Sequence, residues 1–243
     1  MPSAYGNDLA YIHDAGFGHF AREAAPVLLD ALKSGGFEHG LVVDLGCGSG
    51  ILSRIVSEAG YDVLGIDISE AMIELAQRRV PRGQFRTESL LTAHIPPCVA
   101  VAAVGECLNY LFDESHSSSK LTALFRRTYQ ALEPGGLLLG DVAAPGRAKG
   151  GAQKSFWEGE DWVVLVTIQE DRRRKLLTRE ITSFRRVGDH YRRDHEIHHQ
   201  RLLPRVELTQ KLRTAGFRLR TLGGYGALRF GPGHTGFLAR KPV

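Results

Sequence analysis

Short apolar runs alternate with helix-like stretches over the first 143 residues of the chain. The runs lie at 42–45, 61–68, 85–91, 99–105 and 132–141. Their length suits strands better than helices, and strands that alternate with helices form parallel sheets. The pattern therefore predicts an α/β protein with a Rossmann-like, doubly wound sheet.

Two other parts of the chain follow different patterns. Residues 144–202 begin with a linker at 145–154, and three strand-like runs follow at 162–168, 176–184 and 190–202. Polar turns separate these runs, which predicts a small antiparallel β-meander. Residues 1–40 form a separate N-terminal segment that ends in an amphipathic helix.

The sheet resumes after the meander, with a helix expected at 204–215 and strands at 217–225 and 235–241. We therefore divide the chain into three parts. They are an N-terminal helical cap at 1–40, a sheet domain at 41–143 and 203–243, and a β insertion at 144–202.

Three glycines at alternate positions join the first strand to the helix that follows it. Gly46, Gly48 and Gly50 come just after Asp44, which lies at the end of the strand. Glycine lets the backbone turn sharply and approach a ligand closely, and the next helix directs free N–H groups at the turn. This arrangement is typical of a nucleotide site at the carboxyl end of a first strand.

The ligand at this turn is not expected to be a dinucleotide. Ile51 occupies the place of the third glycine in the pyrophosphate-binding fingerprint. The Asp44 carboxylate would repel a pyrophosphate but would pair with an ammonium group. A ligand with an amino-acid end and an adenosine end fits better, and S-adenosylmethionine (SAM) is such a ligand.

The run D-L-G-C-G-S-G, which includes Cys47, resembles the first motif of the class I SAM-dependent methyltransferases. The resemblance implies that the turn contacts the methionyl part of SAM. It also implies S-adenosylhomocysteine (SAH) as the product. The closing strands at 217–225 and 235–241 are similar to the terminal antiparallel hairpin of that family.

A second acid follows the second apolar run. Asp67 ends this run, and Ser69 begins the next helix as its N-cap. A doubly wound fold places at this position the acid that binds the ribose hydroxyls. The family resemblance implies the same role for Asp67 and places Ile68 beside the adenine. A strand-end cap is the structural alternative for Asp67.

The third and fourth strands add further expected contacts. Many family members have Gly-Asp at the end of the third strand, where this chain has Glu88-Ser89. We expect Ser89 and the backbone near Leu90 to contact the adenine. The fourth strand ends at Gly105-Glu106. This segment resembles the corresponding segment of enzymes related to glycine N-methyltransferase, in which it faces the sulfonium.

The N-terminal segment and the insertion are expected to cover the cofactor. In similar methyltransferases the N-terminal segment folds over the cofactor, which makes Tyr11 and His13 candidates here. Tyr11 is equally well explained as an anchor on the protein core. A small β-sheet over the site favours an enclosed pocket for a small-molecule acceptor.

The last strand of the insertion carries the candidate catalytic residues. Alternation along a strand puts Glu196, His198 and Gln200 on one face and His195 and His199 on the other. His198 or Glu196 could remove a proton from the acceptor, or both could belong to a solvated face. His195 and His199 lie about 13 Å apart along a strand, so no metal site is expected.

Composition sets limits on the remaining function classes. The net charge of +4 is mild, the three cysteines form no C-x-x-C pair, and no apolar run has membrane-spanning length. We expect a cytoplasmic enzyme with no membrane or nucleic-acid partner, and the oligomeric state is open. The main hypothesis is O- or N-methylation of a small molecule. The alternative is an RNA or protein methyltransferase that uses the arginine-rich surface of the insertion.

Overall fold

The computed structural model describes residues 4–148 and 151–243. The helices are α1 (Asn7–Gly16), α2 (His19–Ser34), α3 (Ile51–Glu58), α4 (Glu70–Arg79), α5 (Ser118–Ala131) and α6 (Arg205–Thr214). The strands are β1 (Leu41–Leu45), β2 (Asp62–Asp67), β3 (Gln84–Thr87), β4 (Cys98–Ala103), β5 (Leu132–Ala143), β6 (Gln153–Glu158), β7 (Trp162–Asp171), β8 (Leu176–Val187), β9 (His190–Arg201), β10 (Arg218–Leu222), β11 (Gly224–Tyr225), β12 (Leu228–Arg229) and β13 (His234–Arg240).

Seven strands form the main sheet, in the order β10-β13-β5-β4-β1-β2-β3. Strands β1 to β5 are parallel to one another, whereas β13 runs antiparallel to both β5 and β10. The predicted doubly wound sheet with a terminal antiparallel pair is therefore confirmed. A short hairpin of β11 and β12, which the sequence pattern did not predict, connects β10 to β13.

Both faces of the main sheet are buried under helices. Val43 of β1 belongs to a core with Leu124 of α5 and Leu208 of α6, and Val42 belongs to a second core with Leu28 of α2. Neighbouring strand residues point to opposite faces, so near-continuous apolar runs are what a sheet covered on both sides requires. The two cores leave the carboxyl ends of the strands free to form a site.

The insertion is a four-stranded antiparallel sheet in the order β6-β7-β8-β9. The sequence predicted β7 to β9, but it assigned the start of β6 to the linker at 145–154. Residues 149 and 150 of that linker lie outside the described residues. All six residues of β6 are exposed, and its sequence QKSFWE does not alternate between apolar and polar residues. The pattern by which a half-buried strand is recognised is therefore missing.

The N-terminal segment forms two helices where the pattern predicted one. Leu9 and Ile12 of α1 pack against Trp162, Val164 and Ile181 on the inner face of the insertion sheet. Helix α1 therefore packs on the insertion sheet. Within the described residues, no helix is both long enough and apolar enough to cross a membrane.

Candidate active site

A cavity with two lobes lies at the carboxyl ends of β1, β2 and β4. The smaller lobe has a volume of about 130 Å³ and the larger one about 440 Å³. The two lobes share lining residues that include Gly46, Gly48, Gly105 and Tyr110. They therefore meet where β1 and β4 end.

The glycine turn after β1 forms the floor of this junction. Gly46 has a φ of +67°, and a Cβ there would lie 2.5 Å from the Cβ of Cys107. Cys47 lines the larger lobe. Gly50 lines neither lobe, because it packs against Ala76 of α4. The expectation that Gly50 contacts the ligand is corrected to a role in packing α3 against α4.

The Asp67 carboxylate lies on the wall of the smaller lobe, beside Ile68. One carboxylate oxygen accepts a hydrogen bond of 2.9 Å from the Gly48 N–H, and the other accepts one of 2.9 Å from the Ser69 N–H. Burial raises the pKa of this carboxyl. Each carboxylate oxygen has a second lone pair, so Asp67 keeps the capacity to accept two further hydrogen bonds.

The Asp44 carboxylate lies under the larger lobe and is buried. Ser53 of α3 donates a hydrogen bond of 2.7 Å to its Oδ2. Burial raises the pKa of Asp44 to about 6. A cation in the larger lobe would offset the cost of burying this charge.

Ser89 and Leu90 line the far end of the smaller lobe. The Ser89 hydroxyl donates to Oδ2 of Asp113, which lines the same lobe. Because its proton is already used, Ser89 can only accept a hydrogen bond from a ligand. Asp113 was not predicted, since it lies in a loop 24 residues away in sequence.

Gly105 and Glu106 lie where the two lobes meet the end of β4. The backbone N–H groups of both residues donate to the buried carboxylate of Asp141 at 2.9 Å. Glu106 has a φ of +60°, a left-handed conformation that is uncommon for a residue with a side chain. The two hydrogen bonds to Asp141 hold this segment in place against the larger lobe.

The Glu106 side chain is surrounded by basic groups within the larger lobe. Arg147 Nη2 lies 2.8 Å from Oε1, Arg179 Nη2 donates to Oε2, and His234 Nδ1 lies 3.7 Å from Oε1. Burial alone would raise the pKa of Glu106, but the charges of Arg179 and Arg147 hold it below its usual value. Glu106 is therefore ionised in the neutral pH range.

The predicted catalytic pair does not line the cavity. His198 Nε2 lies 2.7 Å from Oε2 of Glu196, whose other oxygen accepts a hydrogen bond from the Gly6 N–H. The His198 ring packs against Tyr5 and Tyr110, which stand between it and the cavity. The predicted role in proton removal is therefore corrected: the pair supports the aromatic wall and fastens the N-terminal segment.

Tyr11 is also placed away from the cavity. Its hydroxyl donates to Asp161 at 3.0 Å, and the Arg185 guanidinium lies 3.6 Å above its ring. Tyr11 lines neither lobe, and its contacts are those of an anchor on the insertion. His13 does line both lobes, and burial lowers the pKa of its imidazole to about 4.

The rest of the larger lobe is mostly apolar. The inner face of β7 and β8 supplies alternate residues, and aromatic rings come from β6 and from the residue directly after α1. The main apolar residues are Phe17, Trp157, Val164, Val166, Leu177 and Ile181. Within the described residues, no group of three or more His, Cys, Asp or Glu side chains is arranged to hold a metal ion.

The polar residues of the larger lobe that were missed at the level of sequence include Arg147, Arg179 and His234. Arg179 alternates with Leu177 and Ile181 on β8, and this period of two indicates the inner face. His234 is the first residue of an antiparallel strand, which begins where the parallel strands end. Both positions could have been found from the strand pattern, whereas the loop residue Arg147 gave no such signal.

Comparison with known proteins agrees with this architecture. Residues 42–136 match the family described as methyltransferase domain. The Bacillus subtilis (strain 168) protein named "Putative methyltransferase YqeM" is 29% identical over 189 residues, which cover 75% of each chain.

Two solved structures share the fold at low identity. A SAM-dependent methyltransferase from Clostridium acetobutylicum ATCC 824 has a TM-score of 0.82 at 16% identity and covers 98% of this chain and 99% of its own. The sugar N-methyltransferase KedS8 from Streptoalloteichus sp ATCC 53650 has a TM-score of 0.76 at 19% identity, covering 100% and 98%. Together these findings show that residues 42–136 are similar to a methyltransferase domain and that the chain shares the fold of solved SAM-dependent methyltransferases.

Proposed function

We propose that the protein transfers a methyl group from SAM to an oxygen or nitrogen atom of a small molecule enclosed in the larger lobe. One observation carries this proposal: a second, larger lobe opens from the glycine junction and is walled by α1 and the insertion sheet. Such a concave, mostly apolar space suits a small acceptor.

The smaller lobe and the junction fit SAM. A Cβ on Gly105 would meet no atom within 4 Å, and one on Gly48 only the Met72 sulfur at 4.0 Å, so both glycines leave room for a ligand. We assign the ribose hydroxyls to Asp67 and the ammonium group to Asp44.

The remaining contacts follow from the lining of the two lobes. We assign the adenine to the part of the smaller lobe formed by Ile68, Ser89 and Leu90, and the sulfonium side to Gly105 and Glu106. Bound SAM supplies a methyl group activated by its sulfonium. The chain must hold the acceptor in line with that group and exclude water.

The walls of the larger lobe indicate the kind of acceptor. Apolar side chains from β7 and β8 would bury an apolar body, and the polar groups lie together at Glu106 and His234. We infer an acceptor with a compact apolar frame and one hydroxyl or amino group directed at this polar end. The similar fold of KedS8, a sugar N-methyltransferase, supports a small acceptor.

The arginine-rich turn does not support a macromolecular substrate. Arg172 lies near Glu170 and Arg174 near Asp171, each at 3.8 Å, and neither arginine lines the cavity. These charges are exposed and partly neutralised by neighbouring acids. The concave, mostly apolar lobe therefore favours the small-molecule hypothesis over an RNA or protein substrate.

A pair of neighbouring substitutions on β7 tests the acceptor lobe. Val166 lines the lobe, and Leu165 points to the exposed face of the same strand. SAH release would be measured with phenols, aromatic amines and amino sugars, and with RNA and protein as rival acceptors. We expect Val166→Trp to retain SAM binding and lose turnover at least tenfold, and Leu165→Trp to behave like the native chain. Turnover of RNA or protein alone, or full activity of Val166→Trp, would contradict the proposal.

A further inference from the structure

His234 lies at the polar end of the larger lobe in a fixed orientation. It pairs with Ala143 across β5 and β13 and lines the larger lobe beside Glu106. Phe230 and Phe20 stack on its ring with centroid distances of 4.1 and 5.3 Å and interplanar angles of 5° and 14°. The imidazole plane is therefore fixed by aromatic rings.

The hydrogen bonds of Asp141 determine which nitrogen of His234 carries the proton. Oδ1 of Asp141 accepts from the Gly105 N–H at 2.9 Å and from the Tyr225 hydroxyl at 3.0 Å. Oδ2 accepts from the Glu106 N–H at 2.9 Å and lies 2.7 Å from His234 Nε2. Three other donors meet this carboxylate, two at Oδ1 and one at Oδ2, and an ionised carboxylate only accepts, so Nε2 carries the hydrogen in its contact with Oδ2. In the neutral ring, Nδ1 therefore holds the free lone pair.

The nearest charged atom to the free Nδ1 is itself an acceptor, and none of the described residues donates a hydrogen bond to this nitrogen. Its neighbour is Oε1 of Glu106 at 3.7 Å, which is too far for a hydrogen bond and brings two acceptors together. Oε1 is buried and has no hydrogen-bond partner, because the 2.8 Å contact with Arg147 lacks hydrogen-bond geometry. A group that carries a hydrogen would satisfy both atoms.

We propose that His234 is the general base of the reaction and that the hydroxyl or amino group of the acceptor binds at Nδ1. The nucleophile's lone pair forms the bond to the methyl carbon, while the carbon–sulfur bond breaks and its electron pair goes to sulfur. The proton of the nucleophile passes to Nδ1. This inference rests on the proposed function, because it requires the acceptor to lie in the larger lobe.

The surroundings stabilise the proton once it has been transferred. An imidazolium at His234 would lie between the carboxylates of Asp141 and Glu106. Arg147 and Arg179 face Glu106, and the Tyr225 hydroxyl faces Asp141. The hydrogen bond to Asp141 keeps the ring oriented while the proton is transferred.

The first test needs no acceptor. Nitrogen-15 NMR of the full chain in complex with SAH reports which ring nitrogen of each histidine carries hydrogen, and the signal absent from His234→Gln identifies His234. We expect the neutral ring to carry its hydrogen on Nε2, and a changed proton distribution in Asp141→Asn. A neutral ring with its hydrogen on Nδ1, or a ring that keeps both hydrogens throughout the pH range of activity, would overturn the proposal.

The second test compares two acceptors of different acidity. At about pH 8 phenol keeps its proton, as tyrosine does, whereas 4-nitrophenol is largely ionised and needs no base. Gln keeps an N–H donor in place of Nε2 but has no basic nitrogen. His234→Gln should lower kcat for phenol by about 10²-fold or more and change kcat for 4-nitrophenol little, with SAM affinity retained. His195→Gln, on the exposed face of β9, is the matched control.

The outcomes separate the two proposals. Equal losses for phenol and 4-nitrophenol, or no loss for either, would contradict a base at His234. If the native chain binds SAM but methylates neither phenol, the proposed acceptor class is wrong. The tautomer measurement then decides on His234 by itself.

Discussion

Three buried or half-buried carboxylates, Asp44, Asp67 and Asp141, organise the residues around the cavity. Ser53 donates to Asp44, two backbone N–H groups donate to Asp67, and four donors meet Asp141. Hydrogen bonds of this kind keep an acid charged and oriented inside a protein. The three carboxylates therefore serve different purposes, since Asp141 has no capacity left for a ligand, while Asp44 and Asp67 do.

Gly105 offers a test of ligand contact at the residue scale. A Cβ there would enter open space at the junction of the lobes, and its φ is +84°. Gly60 has a φ of +95° and equally open surroundings, but it lies outside the cavity. Alanine at either position should cost a similar ~1–2 kcal/mol in stability from backbone strain.

Only Gly105→Ala should weaken SAM binding, by tenfold or more, because its methyl group takes space that we assign to the sulfonium side. Calorimetric titration with SAM, together with thermal unfolding of both variants, measures the difference. Equal SAM affinities in Gly105→Ala and Gly60→Ala would show that Gly105 does not approach the ligand.

One ion cluster, together with apolar packing, holds helix α1 over the cavity. Asp8 is 5% exposed, and its carboxylate meets the guanidinium groups of Arg185 on β8 and Arg192 on β9. The hydrogen bond from Arg192 lowers the pKa of Asp8 below its usual 3.8. The cluster is therefore present at neutral pH and is lost only as the pH falls through that lowered value.

Removing the Asp8 charge should loosen this helix as a unit. In Asp8→Asn we expect the free energy of opening residues 7–16 to fall by about 1–3 kcal/mol, so that the amide hydrogens of this helix exchange faster. SAH should also dissociate faster, because Leu9 and His13 of α1 line the cavity. Asp30→Asn, at an exposed position of α2, is the control. Unchanged exchange in Asp8→Asn would show that apolar packing alone holds α1.

At the scale of the whole molecule, the sheet could be predicted from the sequence. The strands of the sheet are short apolar runs, and their order follows from alternation with helices. Gly46, Gly48, Asp67 and Gly105 were found because each lies within a few residues of a strand's carboxyl end, where the fold places ligands. Local pattern and site geometry agree at these positions.

The acceptor side of the site could not be predicted in the same way. Its polar residues come from a loop, from β8 and from β13, and only tertiary packing brings them together. For His198 the alternation along the strand predicts an inward-facing side chain, and the side chain is buried. The rings of Tyr5 and Tyr110 nevertheless separate it from the cavity. A histidine on an inward strand face is therefore a candidate, and its neighbours decide whether it reaches the cavity.

The central claim is that SAM binds at the carboxyl ends of β1, β2 and β4 with its ribose on Asp67. Calorimetric titration of the native chain with SAM and SAH, beside Asp67→Asn and the exposed control Asp62→Asn, tests this most directly. We expect the native chain and Asp62→Asn to bind both compounds equally well. Asp67→Asn should bind about 10- to 100-fold more weakly, as the loss of hydrogen bonds to a charged group predicts. A folded native chain that binds neither compound, or an Asp67→Asn variant with native affinity, would contradict the claim.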